Sequence, residues 1–165
     1  MPIRCRFATS VDAAALTAMM AAMYRHYGLP GAEDEAAVAR YVTETMLPAE
    51  AAGTCRVALA VDEAAAAPVG FGTMALLLPA PALGAQAYIK DLWVGAAARG
   101  RGAGRALIAF LAREAVAKGA VRVDWTAETT NPAAIAAYEA MGAPRVPEKV
   151  YFRLTGDDLA RWAET

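Results

Sequence analysis

The chemistry-bearing stretch is Ala98–Leu107, "ARGRGAGRAL", with three glycines and three arginines in ten residues. An apolar run, "LIAFLA", follows at once. Glycines let successive backbone N–H groups approach and converge on an anion. A helix opening at Gly104 adds its positive N-terminal end. Arg99, Arg101 and Arg105 supply charge, and no acid stands between Asp91 and Glu114. The type of ligand this suits is a phosphate.

Three phosphate-loop patterns compete. The dinucleotide fingerprint GxGxxG fails, because its last place falls on Arg105 or on Leu107. The Walker A pattern reaches from Gly95 to Gly100, but Arg101-Gly102 stands where Lys-Ser/Thr is needed. The pattern [Q/R]-x-x-G-x-[G/A] fits at Arg99, Gly102 and Gly104. A second constellation lies in "NPAAIAAYEAMGA". Asn131 and Tyr138 are seven residues apart, close to two helical turns, so they share a face.

On these two motifs the chain resembles the GNAT superfamily of acetyl-CoA-dependent N-acetyltransferases. Within it, "YIKDLWV" followed by "DW", Asn, Tyr and "GA" is most similar to the diamine acetyltransferase-like branch. The specific motifs run from about Tyr88 to Gly142. The resemblance implies that Arg99, Gly100, Arg101, Gly102, Ala103, Gly104 and Arg105 cradle the phosphates of coenzyme A. It implies backbone bonds from Leu92, Trp93 and Val94 to the pantetheine arm, with one N–H holding the thioester oxygen. Asn131 and Tyr138 would meet the pantetheine and thiol, and Tyr138 would protonate the departing thiolate. A phenol of pKa near ~10 facing a thiol of ~8.5 suits that acid role.

The acceptor amine must also lose a proton. The branch tends to carry Glu-Asp where this chain has Lys90-Asp91. Asp91 is the first remaining candidate base, and Glu128 the second. Asp91 can equally be a structural carboxylate. Tyr24, His26 and Tyr27, at the end of the first helix, fall where the family places its acceptor. His26 also suits a helix C-terminus as a capping cation. Glu33, Asp34 and Glu35 could draw in a cationic amine or simply stabilise a helix N-terminus.

The elements that must position these residues are legible from periodicity. Strands are expected over 3–8, 54–61, 69–78, 87–94 and 121–125, with "KVYFRL" as a last strand. Helices are expected from near Asp12 to Tyr27, stopped by Gly28, and from Glu33 to Leu47, with Pro48 beyond the end. Two more run from about Gly104 to Lys118 and from Asn131-Pro132 to Gly142. The tail "TGDDLARWAET" reads as a short helix or turn. The order gives one α/β (α+β) domain over 1–165. The resemblance implies a mixed, mostly antiparallel sheet of six to seven strands with a splayed central pair and helices on both faces.

Composition bounds the rest. The 165 residues are 58% hydrophobic and 20% charged, with a net charge of -1, so any anion site is local. That excludes a global pull toward nucleic acid. No apolar run reaches the roughly 18 residues of a membrane span. No signal-peptide pattern opens the chain, and a cytoplasmic location follows as the simplest expectation. The two cysteines and one histidine form no zinc pattern, so no metal is expected. Cys5 and Cys55 read as small buried hydrophobes on strands.

The expected reaction is direct acetyl transfer from acetyl-CoA to a primary amine of a small molecule, such as a polyamine or an amino acid, with room for a homodimer. Three alternatives stand beside it: a protein or peptide N-acetyltransferase, a non-catalytic acyl-CoA sensor, and a nucleotide-phosphate binder.

Overall fold

The computed structural model describes residues 2–31 and 33–164. It divides into two compact units after Thr126. The first holds five strands: β1 (Ile3–Phe7), β2 (Arg56–Asp62), β3 (Ala67–Leu77), β4 (Ala85–Val94) and β5 (Ala120–Asp124). They lie in one sheet in chain order. The first three pairings are antiparallel, and β4 with β5 is parallel. Its helices are α1 (Ala13–Tyr27), α2 (Glu35–Tyr41), α3 (Leu47–Ala52) and α4 (Ala103–Ala117). The second unit holds α5 (Pro132–Ala140) and α6 (Gly156–Ala163).

Alternation along the strands builds two cores. Val57 and Leu59 join Phe71 and Trp93 beneath Leu16, Met20 and Met23 of α1 and Val38 of α2. Ala58 and Ala60 point to the other face, with Met74, Ala87 and Ile89 under Leu107 and Leu111 of α4. Residues 57–60 are therefore all buried, as a strand covered on both faces requires. The mixed, mostly antiparallel sheet between helices matches the sequence reading.

Two expectations need correction. The sheet has five strands among the described residues, not six or seven, because "KVYFRL" at 149–154 joins no ladder and is exposed. The second helix does not stop before Pro48. A π-turn over Val42–Met46 joins α2 to α3, with Leu47 N–H bonded to the Val42 carbonyl. The wider turn accommodates a residue that has no N–H and would crowd the carbonyl four places back. Cys5 lies on β1, Cys55 one residue before β2, and both are half-buried; burial pushes both thiols up.

The start of α1 is held electrostatically. Asp12 takes a bidentate contact from Arg6, at 2.7 and 2.6 Å, and the Thr9 N–H at 2.8 Å. The Arg6 guanidinium, with these N–H donors, lowers the Asp12 carboxyl to a pKa of about 2.

Candidate active site

The end of α1 is shaped by local sequence. Gly28 takes φ +61°, its N–H bonds the Arg25 carbonyl, and the Leu29 N–H reaches back to the Tyr24 carbonyl. This Schellman closure fixes the last turn, Tyr24 to Tyr27. His26 then stands 5.2 Å from the Trp93 ring, and Tyr27 6.2 Å from it. Trp93 itself is buried at the end of β4. Between them lies an open groove of about 570 Å³, walled by Met19, Arg25 and His26 of α1 and by Trp93, Ala96 and Arg99. The α1 residues that face it, Ala18, Met19, Ala22, Arg25 and His26, follow helical spacing. The volume falls within the range of small-molecule pockets.

The glycine-arginine loop closes one side. After a single 3-10 turn at Ala96–Ala98, Gly100 and Gly102 take φ +73° and +83°. These are left-handed conformations that favour glycine. A Cβ at either would meet nothing within 4 Å, so conformation and not crowding demands the glycines. Gly102 leads into α4, which begins at Ala103, one residue before the expected start at Gly104. No side chain caps that end, and its first turn holds no acid. The N–H groups of Ala103, Gly104 and Arg105 are the donors an α-helix leaves without intrahelical partners. Arg101 and Arg105 are exposed beside them. Arg99 behaves differently: its Nε donates to the Val94 carbonyl at 3.1 Å, and its guanidinium lies 5.0 Å from the Trp93 ring.

The strand pair before the loop is splayed. β5 follows β4 only from Ala85↔Ala120 to Tyr88↔Asp124, while β4 continues to Val94 beside β3. The Gly95 N–H bonds the Val69 carbonyl of β3 at 2.9 Å. Strand alternation then turns the backbone groups of Leu92 and Val94 to the open side. A bulge between Thr73 and Met74 leaves Lys90 unpaired and sets Asp91 opposite Thr73. The Thr73 hydroxyl donates to Asp91 Oδ2 at 2.8 Å, and Lys90 Nζ stands 3.5 Å from Oδ1. Asp91 is thus oriented through one oxygen and held loosely at the other. The Tyr24 phenol is pushed up, first by burial and then by neighbouring Tyr41 and Asp91.

In the second unit, Asn131 caps α5, its Oδ1 accepting from the Ala134 N–H at 3.1 Å, with Pro132 behind it. Tyr138 is half-buried in the last turn of that helix. Glu128 is exposed, and its carbonyl accepts from the Asn131 N–H at 2.9 Å.

The profile of the acetyltransferase (GNAT) family matches residues 19–143. The chain belongs to the GNAT acetyltransferase family. Among solved structures, this GNAT chain is similar over its full length to integron cassette protein VCH_CASS6 from the mobile metagenome of V. cholerae. The identity is 32%, the TM-score 0.88, and 99% of that chain is covered. A probable acetyltransferase of known structure shares the fold, with a TM-score of 0.79 at 20% identity over 96% of this chain and 99% of that one. Among curated proteins, L-ornithine N5-acetyltransferase NATA1 of Arabidopsis thaliana is 40% identical over 72 residues. That match takes in 44% of this GNAT chain, which spans about a third (32%) of the relative.

Of the residues read from sequence, the first unit brings Trp93, Arg99 and His26 to one groove, sets the Tyr27 ring against His26 and Trp93, and sets Tyr24 near Asp91. Sequence reasoning missed Arg25 and Met19 on the groove wall and Tyr41 beside Tyr24. The i, i+7 step from Ala18 to Arg25 was the signal for one of them. The acidic trio resolves in part as capping, since Asp34 accepts the Ala37 N–H at 2.8 Å at the start of α2. Among the described residues, no cluster of acids, histidines or cysteines could hold a metal, and no helix is long and apolar enough to cross a membrane.

Proposed function

We propose that the protein transfers an acetyl group from acetyl-CoA to a primary amine of a small molecule. The observation that carries this reading is the uncapped start of α4, with Gly100 and Gly102 left-handed before it, beside the groove under Trp93. Converging N–H groups and the helix end suit a pyrophosphate. Arg101 and Arg105 would add charge to the cradle, and Arg99 would tie it to β4. Acetyl-CoA, when bound, supplies an acetyl thioester activated toward an amine.

The other roles follow from chemistry. Backbone groups of Leu92 and Val94 suit the amides of a pantetheine arm, and a free N–H there would stabilise an oxygen gaining negative charge. Asp91 Oδ1, with Oδ2 oriented by Thr73, would accept the acceptor's proton. Glu128 is the second candidate for that role. The Tyr138 phenol would donate its proton to the departing sulfur, and Asn131 would help hold the arm.

The groove also bears on the acceptor. Arg25, His26 and Arg99 line it, and among the described residues no carboxylate does. An amine that also carries an anionic group, as an amino acid does, suits that wall better than a polyamine. The local similarity to an ornithine acetyltransferase supports the same class.

The test is calorimetric titration of acetyl-CoA into wild type and Arg99→Ala/Arg101→Ala, followed by a thiol-release screen over amino acids, polyamines, aminoglycosides and N-terminal peptides. Micromolar binding weakened by the double variant, with turnover on a small amine, supports the proposal. Turnover only on peptides moves the acceptor to protein. Binding without turnover on any amine leaves an acyl-CoA sensor, and no binding overturns the reading.

A further inference from the structure

The groove beside Trp93 changes character along α1. Ala18, Met19 and Ala22 give it an apolar floor, and one turn further on the same helix presents Arg25 and His26 to it. From the other wall Arg99 meets the same space. The Arg99 guanidinium is oriented by two contacts, the Val94 carbonyl at 3.1 Å from Nε and the Trp93 ring at 5.0 Å. Two guanidiniums and an imidazole, from two separate elements, therefore converge on one groove. Among the described residues no carboxylate lines it.

A helix C-terminus favours cations, and that accounts for Arg25 or His26 taken alone. It does not account for Arg99, which arrives from the loop after β4. Like charges that share a site repel each other until an anion joins them. Elsewhere in the first unit arginines have such partners: Arg6 has Asp12, Arg56 has Glu50 and Glu114, and Arg122 has Asp124. Among the described residues of that unit, Arg25 has none. The phosphates of coenzyme A have their own place in the acetyl-transfer reading, at the start of α4 with Arg101 and Arg105. The anion left to fill the groove is one carried by the acceptor. A guanidinium edge takes a carboxylate through two parallel N–H bonds, and an imidazole N–H can add a third. A second ammonium on the acceptor would instead meet like charge, and methylenes would lie on the apolar floor in either case.

We propose that Arg25 is the residue that sets acceptor specificity: with Arg99 and His26 it binds the acceptor's carboxylate, so that an amino acid is acetylated in preference to the amine it becomes on decarboxylation. The assignment deepens the acetyl-transfer reading and rests on it. Of the three groups, Arg25 is the one free to act on the acceptor alone. Arg99 is tied to β4 beside the phosphate loop, and His26 packs on the rings of Tyr27 and Trp93. Arg25 is exposed, so its contact with a carboxylate is screened by solvent. Its loss should therefore cost the carboxylated acceptor about tenfold, the low end for a hydrogen bond between charged groups. It should cost the decarboxylated amine nothing.

The test uses pairs of acceptors that differ only in the carboxylate: ornithine against 1,4-diaminobutane, lysine against 1,5-diaminopentane, and phenylalanine against phenethylamine. Thiol release gives kcat and KM for each with wild type, Arg25→Gln, Arg25→Glu and Arg25→Lys. Wild type should favour the carboxylated member of the pairs it turns over by at least about tenfold in kcat/KM. Arg25→Gln should remove about tenfold of that preference through KM, Arg25→Lys should restore part of it, and Arg25→Glu should turn it toward the diamines. The acetyl-CoA Kd should stay the same in all four proteins. A wild type without the preference overturns the proposal, as does an Arg25→Gln protein that loses both members of a pair equally. A raised acetyl-CoA Kd in Arg25→Gln also overturns it, because the groove would then serve the cofactor. If no amine is turned over, the same pairs are titrated calorimetrically in the presence of coenzyme A. Binding of the carboxylated member alone, lost in Arg25→Glu, upholds the carboxylate site and sinks only the acetyl-transfer reading. Binding of both members or of neither sinks the site as well.

Discussion

Replacing Gly102 with alanine, and Gly104 with alanine as its counterpart, separates the shape of the loop from its space. Gly102 sits at φ +83°, where a Cβ would meet nothing within 4 Å, so the whole cost is the left-handed backbone. That conformation costs an ordinary residue roughly 1–2 kcal/mol. At about 2–4 °C per kcal/mol for a chain of this length, Gly102→Ala should lower Tm by about 2–8 °C. If the loop escapes the strain by turning its N–H groups aside, one charge-assisted hydrogen bond to phosphate, worth about 1.5–3 kcal/mol, is lost. The Kd for acetyl-CoA then rises about 10- to 100-fold. Gly104 lies inside α4, and its Cβ would only touch Val94 Cγ2 at 3.9 Å. Gly104→Ala should raise stability by about 0.5–1 kcal/mol through helix propensity and leave the Kd within about threefold. Differential scanning fluorimetry and calorimetric titration read both quantities. A Gly102→Ala protein with wild-type Tm and Kd would refute the reasoning, because the left-handed turn would then be doing nothing.

Three further outcomes are expected. Asp12→Asn should cost about 2 kcal/mol at most at pH 7, since the Asp12 carboxyl falls from an ordinary pKa near ~3.9 to about 2 and its partner Arg6 is partly exposed. A lowered carboxylate stabilises fully above its unfolded pKa and stops doing so as pH falls through its folded one. The gap between wild type and variant in urea melts should therefore close between about pH 4 and pH 2. Tyr138→Phe should lower kcat about 100-fold at pH 7 with the acetyl-CoA Kd nearly unchanged, and the deficit should shrink above about pH 8.5, where a thiolate leaves without a proton. A deficit constant with pH argues against the acid role. Asp91→Asn should keep the Thr73 contact and lose the proton acceptor, lowering kcat by about 100-fold while Tm moves by less than about 3 °C; a drop in Tm with kcat unchanged would make Asp91 purely structural.

The readable parts of this protein are those whose causes lie within a few residues. Asn131-Pro132 opens a helix and Gly28 ends one because a cap is a contact between near neighbours. The glycine-arginine loop is legible for the same reason: positive φ, N–H convergence and charge are all written in one short run, and the structure holds Gly100 and Gly102 as that run implies. The run over 54–61 announced a half-buried strand, and the structure goes further, burying 57–60 from both faces. What sequence could not decide involves partners far along the chain. "KVYFRL" alternates in the same way whether or not an edge is there to receive it, so a last strand was expected and none forms over 149–154. Pro48 marks a stop by local rules, and a π-turn overrides the mark once α3 packs on the core. The sequence brought Asp91 forward as a carboxylate, but only the β3–β4 bulge set Thr73 against one oxygen and Lys90 near the other. His26 reads as a helix-end cation in sequence. Folding placed it across a groove from Trp93, because tertiary packing, not spacing, decides which distant side chains share a wall.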